Sequence, residues 1–149
     1  MHDAAAFGMF SHQKKLEDIV TAWNCGASDG LMSYDCLYLA GGHGTCTDFV
    51  ENKSLKAAIE GMLGAGKVVA ADCHGPIALA QCVKKDGSPL VEGMCVTGFC
   101  DSEEAAVQHT GHVPFLIETK FKELGGEYSK GDGVRAHAAH ACPPRAPDV

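Results

Sequence analysis

The stretch Lys67-Val68-Val69-Ala70-Ala71-Asp72-Cys73-His74-Gly75-Pro76 decides the reading of this chain. Residues 67–72 are a short, mostly apolar run that follows Gly64-Ala65-Gly66, which predicts a buried β-strand. Cys73 comes directly after it. Pro76 suits the first turn of a helix, where a missing N–H costs nothing, so a helix is predicted over residues 76–84. A strand that ends in a cysteine and turns at once into a helix pushes that side chain out at the carboxyl end of the sheet. Open α/β sheets bind their ligands there. A helix N-terminus favours a thiolate. Gly75 permits a tight backbone turn, and free N–H groups at such a turn suit a developing oxyanion.

Working outward, residues 35–40 form a second short apolar run. It stops at Gly41-Gly42-His43-Gly44, a glycine turn that can bring another N–H to the same sheet edge. Gly42, His43 and Gly75 are therefore the expected oxyanion and substrate contacts, although a histidine in a glycine turn more often makes a local hydrogen bond. Asp48 is expected to cap the helix that follows. That helix runs over residues 52–64, with Leu55, Ile59 and Leu63 on one face. Residues 94–99 predict a third strand, followed by a short helix bearing Glu103 and Glu104 and another helix over 114–124. Upstream, Leu16, Ile19, Val20 and Trp23 predict an amphipathic helix over residues 13–24. Strands alternating with helices predict an α/β fold: a three-layer sandwich around a mainly parallel sheet whose strands are apolar on both faces.

Composition narrows the function. The chain has 149 residues, 46% hydrophobic and 21% charged, as expected of one globular domain. Its formal net charge is -7 and no Lys/Arg cluster stands out, so a nucleic-acid partner is not expected. No apolar run approaches the roughly 20 residues that span a bilayer, so no membrane partner is expected either. Met1-His2-Asp3-Ala4 does not open a secretory signal, and the cytosol is the expected compartment. The eight cysteines contain no CxxC pair and no metal-type spacing, which reads as thiols in a reducing compartment. His109 and His112 match no metal signature and are expected in solvent. His137 and His140 fall in an irregular tail. No metal and no cofactor is expected.

Taken together, several stretches resemble the ThiJ/PfpI superfamily, which shares its fold with class I glutamine amidotransferases. They are Tyr34-Asp35 through Gly41-Gly42-His43-Gly44 with Asp48, Ala70 through Pro76, Leu90-Val91-Glu92-Gly93, Val96-Thr97-Gly98-Phe99 with Glu103-Glu104, and Val113-Pro114-Phe115-Leu116 through Tyr128. The resemblance covers roughly residues 31–130. Gly-Gly-His-Gly with Cys-His-Gly-Pro is similar to the heat-shock-type, glutathione-independent glyoxalases. The resemblance implies a catalytic set of Cys73, His74 and Glu104, with Glu104 preferred to Glu103 by its offset from the Thr-Gly-Phe strand. It implies conversion of a small dicarbonyl, methylglyoxal or glyoxal, to the hydroxy acid, lactate from methylglyoxal, without metal or glutathione. Two other uses of the same cysteine are a redox-sensing or chaperone-like stress role and an amidase or peptidase activity.

Family members also carry an upstream strand-helix-strand unit with a proton-shuttling glutamate, and a different C-terminus. Against that pattern the chain reads as a truncated α/β domain over residues 1–128 with an irregular tail over 129–149. A sheet short of neighbours is expected to be marginal or to form a homodimer over its open edge. Thermal melting should accordingly give a low or non-cooperative transition. A sharp, concentration-independent melt of a monomer at high temperature would count against this.

Overall fold

A computed structural model describes residues 30–131 and residue 138. The helix expected over residues 13–24 and almost all of the tail lie outside the described residues. The chain divides into two units, residues 1–34 and 35–149. The described part of the first is one 3-10 turn, Leu31–Ser33, in which Ser33 Oγ donates to the Gly30 carbonyl at 2.7 Å.

The second unit runs β1 (Cys36–Leu39), α1 (Thr45–Asp48), α2 (Lys53–Gly64), β2 (Val68–Ala71), a 3-10 helix (Gly75–Gln81), β3 (Cys95–Val96), α3 (Asp101–Ala106), α4 (Ile117–Glu123) and β4 (Glu127–Tyr128). β1 and β2 pair in parallel, with Cys36 opposite Val68 and Leu39 opposite Ala71. β3 and β4 also pair in parallel, with Cys95 opposite Glu127 and Val96 opposite Tyr128. The expected mixed α/β class with parallel pairing is therefore present. β4 went unread in the sequence because two residues carry no period. Its pairing rests on Met94 and Val96 carbonyls that accept from the N–H groups of Glu127 and Ser129.

α2 shows how local sequence sets an element. Asn52 opens it, with its side-chain oxygen accepting from the Leu55 N–H at 3.0 Å. Leu55, Ala58, Ile59 and Met62 then recur at helical spacing and are buried, on the side packed against β1 and β2. Asp48 does not cap this helix, contrary to expectation. It ends α1, and its carbonyl accepts from Asn52 Nδ2 at 3.0 Å.

Two further expectations are corrected. The segment after Cys73 is a 3-10 helix that ends at Gln81, not an α-helix to residue 84. Its bonds run three residues back, as from the Ile77 N–H to the His74 carbonyl at 3.0 Å, and short runs favour that tighter winding. The chain then leaves for an antiparallel bridge between Val83 and Pro89. The helix expected from Pro114 begins at Ile117. On the β1–β2 pair, Tyr38 is 60% exposed and Val68 58%, whereas Leu39 is buried. α2 packs against the β1–β2 pair. No described helix is long and apolar enough to cross a membrane.

The main apolar cluster lies between the 3-10 helix, β3 and α4, and contains Ile77, Val91, Val96, Ile117 and Phe121. Glu118 is buried at its edge. Its carboxylate accepts from Lys122 Nζ at 2.7 Å, Lys130 Nζ at 2.8 Å and the Asp101 N–H at 3.1 Å. Burial pushes the carboxyl up, but the bonds from Lys122, Lys130 and the Asp101 amide outweigh it, and the group falls from 4.5 to about 2. A folded-state value below the unfolded one stabilises the fold above pH 4.5 and is lost as pH falls towards 2. Glu118→Gln should therefore cost about 1–3 kcal/mol at neutral pH. In paired denaturant melts, the gap to the parent should close as the pH is lowered through this window.

Candidate active site

Cys73 sits where β2 ends and the 3-10 helix begins, with φ at +51°, in the left-handed region. A side chain there carries backbone strain of order 1–3 kcal/mol, which the surroundings must sustain. They do so by interlocking two turns. A Cβ built on Gly41 would lie 2.6 Å from Cys73 Cβ and 2.7 Å from the Asp72 carbonyl oxygen. A Cβ on Gly75 would be driven into the Leu39 carbonyl. Only glycine at both positions lets the turn after β1 touch the turn after β2. The Gly41 N–H donates to Asp72 Oδ1 at 2.8 Å, and the Phe99 N–H donates to the Cys73 carbonyl at 2.8 Å. The elbow is thus held from both sides.

The Cys73 thiol is exposed, and its Sγ lies 3.4 Å from His74 Nδ1. The opposite ring nitrogen, His74 Nε2, contacts Glu104 Oε2 at 2.7 Å. His74 and Glu104 are 1% and 3% exposed, so this contact is dry. Burial pushes the Glu104 carboxyl up, yet bonds from His74 and His43 prevail and hold it below its ordinary value. An ionised Glu104 accepts, so His74 Nε2 carries the proton and Nδ1 is free to accept from sulfur. Among the described residues, Cys73 is the one cysteine whose sulfur meets a histidine. Buried Cys46 and Cys82 are raised, Cys46 by burial and then by Glu104, Cys82 to about 12 by burial and then by Glu60. Those thiols stay protonated.

The other expected residues sort differently. His43 Nε2 donates to Glu104 Oε1 at 2.9 Å, and its ring lies 4.0 Å from that of His74. Gly42 adopts φ +111° and turns the chain into α1. Gly75 is not an N–H donor to the site, because its N–H donates to the Asp72 carbonyl at 2.7 Å. Its part is to permit close approach. Glu103 faces away and accepts from the Cys100 N–H at 2.8 Å, fastening the start of α3. Two residues at the site had no role assigned from sequence. Phe99 lies 4.2 Å from the His74 ring, and His109 Nδ1 lies 3.2 Å from His43 Nε2. No motif signals the His109 contact, since 66 residues separate the pair.

A parallel α/β framework with an exposed cysteine on a left-handed strand-end residue, backed by a buried His–Glu pair, defines a cysteine-centred site of the class I glutamine amidotransferase-like fold. The chain belongs to the DJ-1/PfpI family, which it matches over residues 20–113. It is 38% identical over 92 residues to the glutathione-independent glyoxalase HSP31 of Saccharomyces cerevisiae, covering 61% of this chain and 37% of that protein. Among solved structures it resembles the Rapid Encystment Protein of Francisella tularensis, at TM-score 0.77 and 28% identity, over 91% of this chain and 56% of that one. It also resembles glyoxalase III of Candida albicans, at TM-score 0.61 and 28% identity, over 69% and 45%. The chain spans about half the length of these relatives or less.

The interlocked turns make a direct prediction. Gly75→Ala should displace Leu39 and cost about 1–3 kcal/mol through overpacking. Alkylation of Cys73, followed by peptide mass spectrometry, should slow relative to the exposed Cys36, which serves as internal reference.

Proposed function

We propose that this chain carries the thiol centre of a glutathione-independent glyoxalase-type reaction, converting methylglyoxal and water to lactate. The observation that carries the reading is the continuous relay from Cys73 Sγ through His74 to buried Glu104. His74 Nδ1 takes the thiol proton, and Glu104 orients the ring and stabilises the imidazolium that results. The thiolate adds to the aldehyde carbon, forming a C–S bond and moving the carbonyl electron pair onto oxygen. The N–H groups of Gly42 and His74, the residue after the nucleophile, are the donors we assign to that oxyanion. A proton then passes from this carbon to the neighbouring carbonyl carbon through an enediolate, leaving a thioester of the hydroxy acid. Water cleaves the thioester, releasing lactate and the thiol. Atoms and electrons balance without an external oxidant.

The resemblance implies a glutamate outside the matched stretches for the carbon-to-carbon proton transfer. The first and last steps use groups already named. His43, packed on His74 and Phe99, is the residue we assign to contact with the second carbonyl. A reducing cytosol suits a reaction that depends on a free thiolate.

Lactate formation from methylglyoxal by the purified chain tests this reading. Cys73→Ala should abolish it, and Glu104→Gln should lower kcat about 10²–10⁴-fold, the range for loss of acid–base support. No lactate above the Cys73→Ala control would sink the proposal.

A further inference from the structure

We propose that His43, Glu104 and His109 form a binding site for a divalent transition-metal cation of the zinc type. The ligand atoms come from three places: the turn after β1, the second half of α3 and the turn that follows α3. His43 Nε2, a Glu104 carboxylate oxygen and a His109 ring nitrogen all lie within 4.8 Å of one another. His43 Nε2 is 2.9 Å from Glu104 Oε1 and 3.2 Å from His109 Nδ1. Zinc bonds of about 2.0–2.1 Å in a tetrahedral set place neighbouring ligand atoms about 3.3 Å apart. Two edges of such a set are thus already near their required length.

Within the cluster, one proton cannot serve all three ligand atoms. With the proton on His43 Nε2, Glu104 and His109 Nδ1 compete for one donor. With the proton on His109 Nδ1 instead, His43 Nε2 turns a lone pair towards the carboxylate. If both nitrogens are protonated, two N–H groups face each other. A cation at the centre accepts all three lone pairs at once. The remainder of the arrangement suits that role. Glu104 is buried, and its other oxygen is held by His74 at 2.7 Å, the kind of outer contact that aims a metal ligand. The His109 N–H donates to the Glu104 carbonyl at 3.1 Å, which fixes the turn bearing the third ligand. His43 and His109 are exposed, so an ion can enter and keep a water in its fourth position. Two imidazoles and one carboxylate are ligands that zinc accepts readily.

The site rests on this geometry alone; its effect on turnover rests on the function proposed above. A cation on Glu104 Oε1 draws charge away from the pair with His74 and weakens the stabilisation of the imidazolium. Bound metal should therefore slow the thiol chemistry.

Zinc calorimetry and cobalt absorption titrations of the purified chain and of His109→Ala decide the matter. The expected result is one equivalent of bound ion, a cobalt spectrum of nitrogen and oxygen ligands, and affinity weakened about tenfold or more in the variant. His109 is an exposed turn residue, so its replacement leaves the core untouched. Equal affinity in the variant, no binding, or sulfur-to-cobalt charge-transfer bands would overturn the site. Zinc should also lower lactate formation, a chelator should restore it, and His109→Ala should need about tenfold more zinc for the same inhibition. If the parent makes no lactate at all, the proposed function fails, while the cobalt titration still decides the metal site.

Discussion

The contact on which the rest of this structure depends is backbone against backbone. The turn after β1 and the turn after β2 approach until no Cβ fits between them, at Gly41 and at Gly75. Parallel pairing of β1 with β2 brings the two strand ends side by side, and the glycines let the turns close on each other. Everything chemical follows from that closure. It holds Cys73 in the left-handed region, and it sets His43 from one turn over His74 from the other.

Glu104 is the electrostatic counterpart of this contact. One buried carboxylate serves two histidines, through Oε2 to His74 and through Oε1 to His43. A buried carboxylate alone would be driven towards its neutral form, but two charge-assisted bonds reverse that tendency. The consequence for His74 is a defined tautomer. Phe99 adds to the same definition, with its backbone holding Cys73 and its ring lying on His74.

Much of this was legible in the sequence because it is local. A strand run into Cys73, then Gly75 and Pro76, marks an elbow without reference to anything distant. α2 declares itself through Leu55 and Ile59 at helical spacing. The choice of Glu104 over Glu103 rests on the family resemblance alone; in the structure Glu104 reaches His74 while Glu103, about 100° round the helix, turns back to Cys100. The unread parts are long-range or very short. β4 has two residues and exists only through its pairing with β3. His109 reads as a surface residue by composition and is one, yet the turn after α3 carries it to His43.

The left-handed backbone at Cys73 has a consequence in time as well as in space. Its carbonyl is held by Phe99, its histidine by Glu104 thirty residues downstream of His74, and the overlying His43 by the same Glu104 across 61 residues. None of these supports is present in a nascent chain that has only just emerged past the cysteine. Until α3 is made and docked, His74 lacks the carboxylate that orients its ring towards the thiol. Local opening of α3 would release both histidines from Glu104 while the interlocked turns still hold the cysteine backbone.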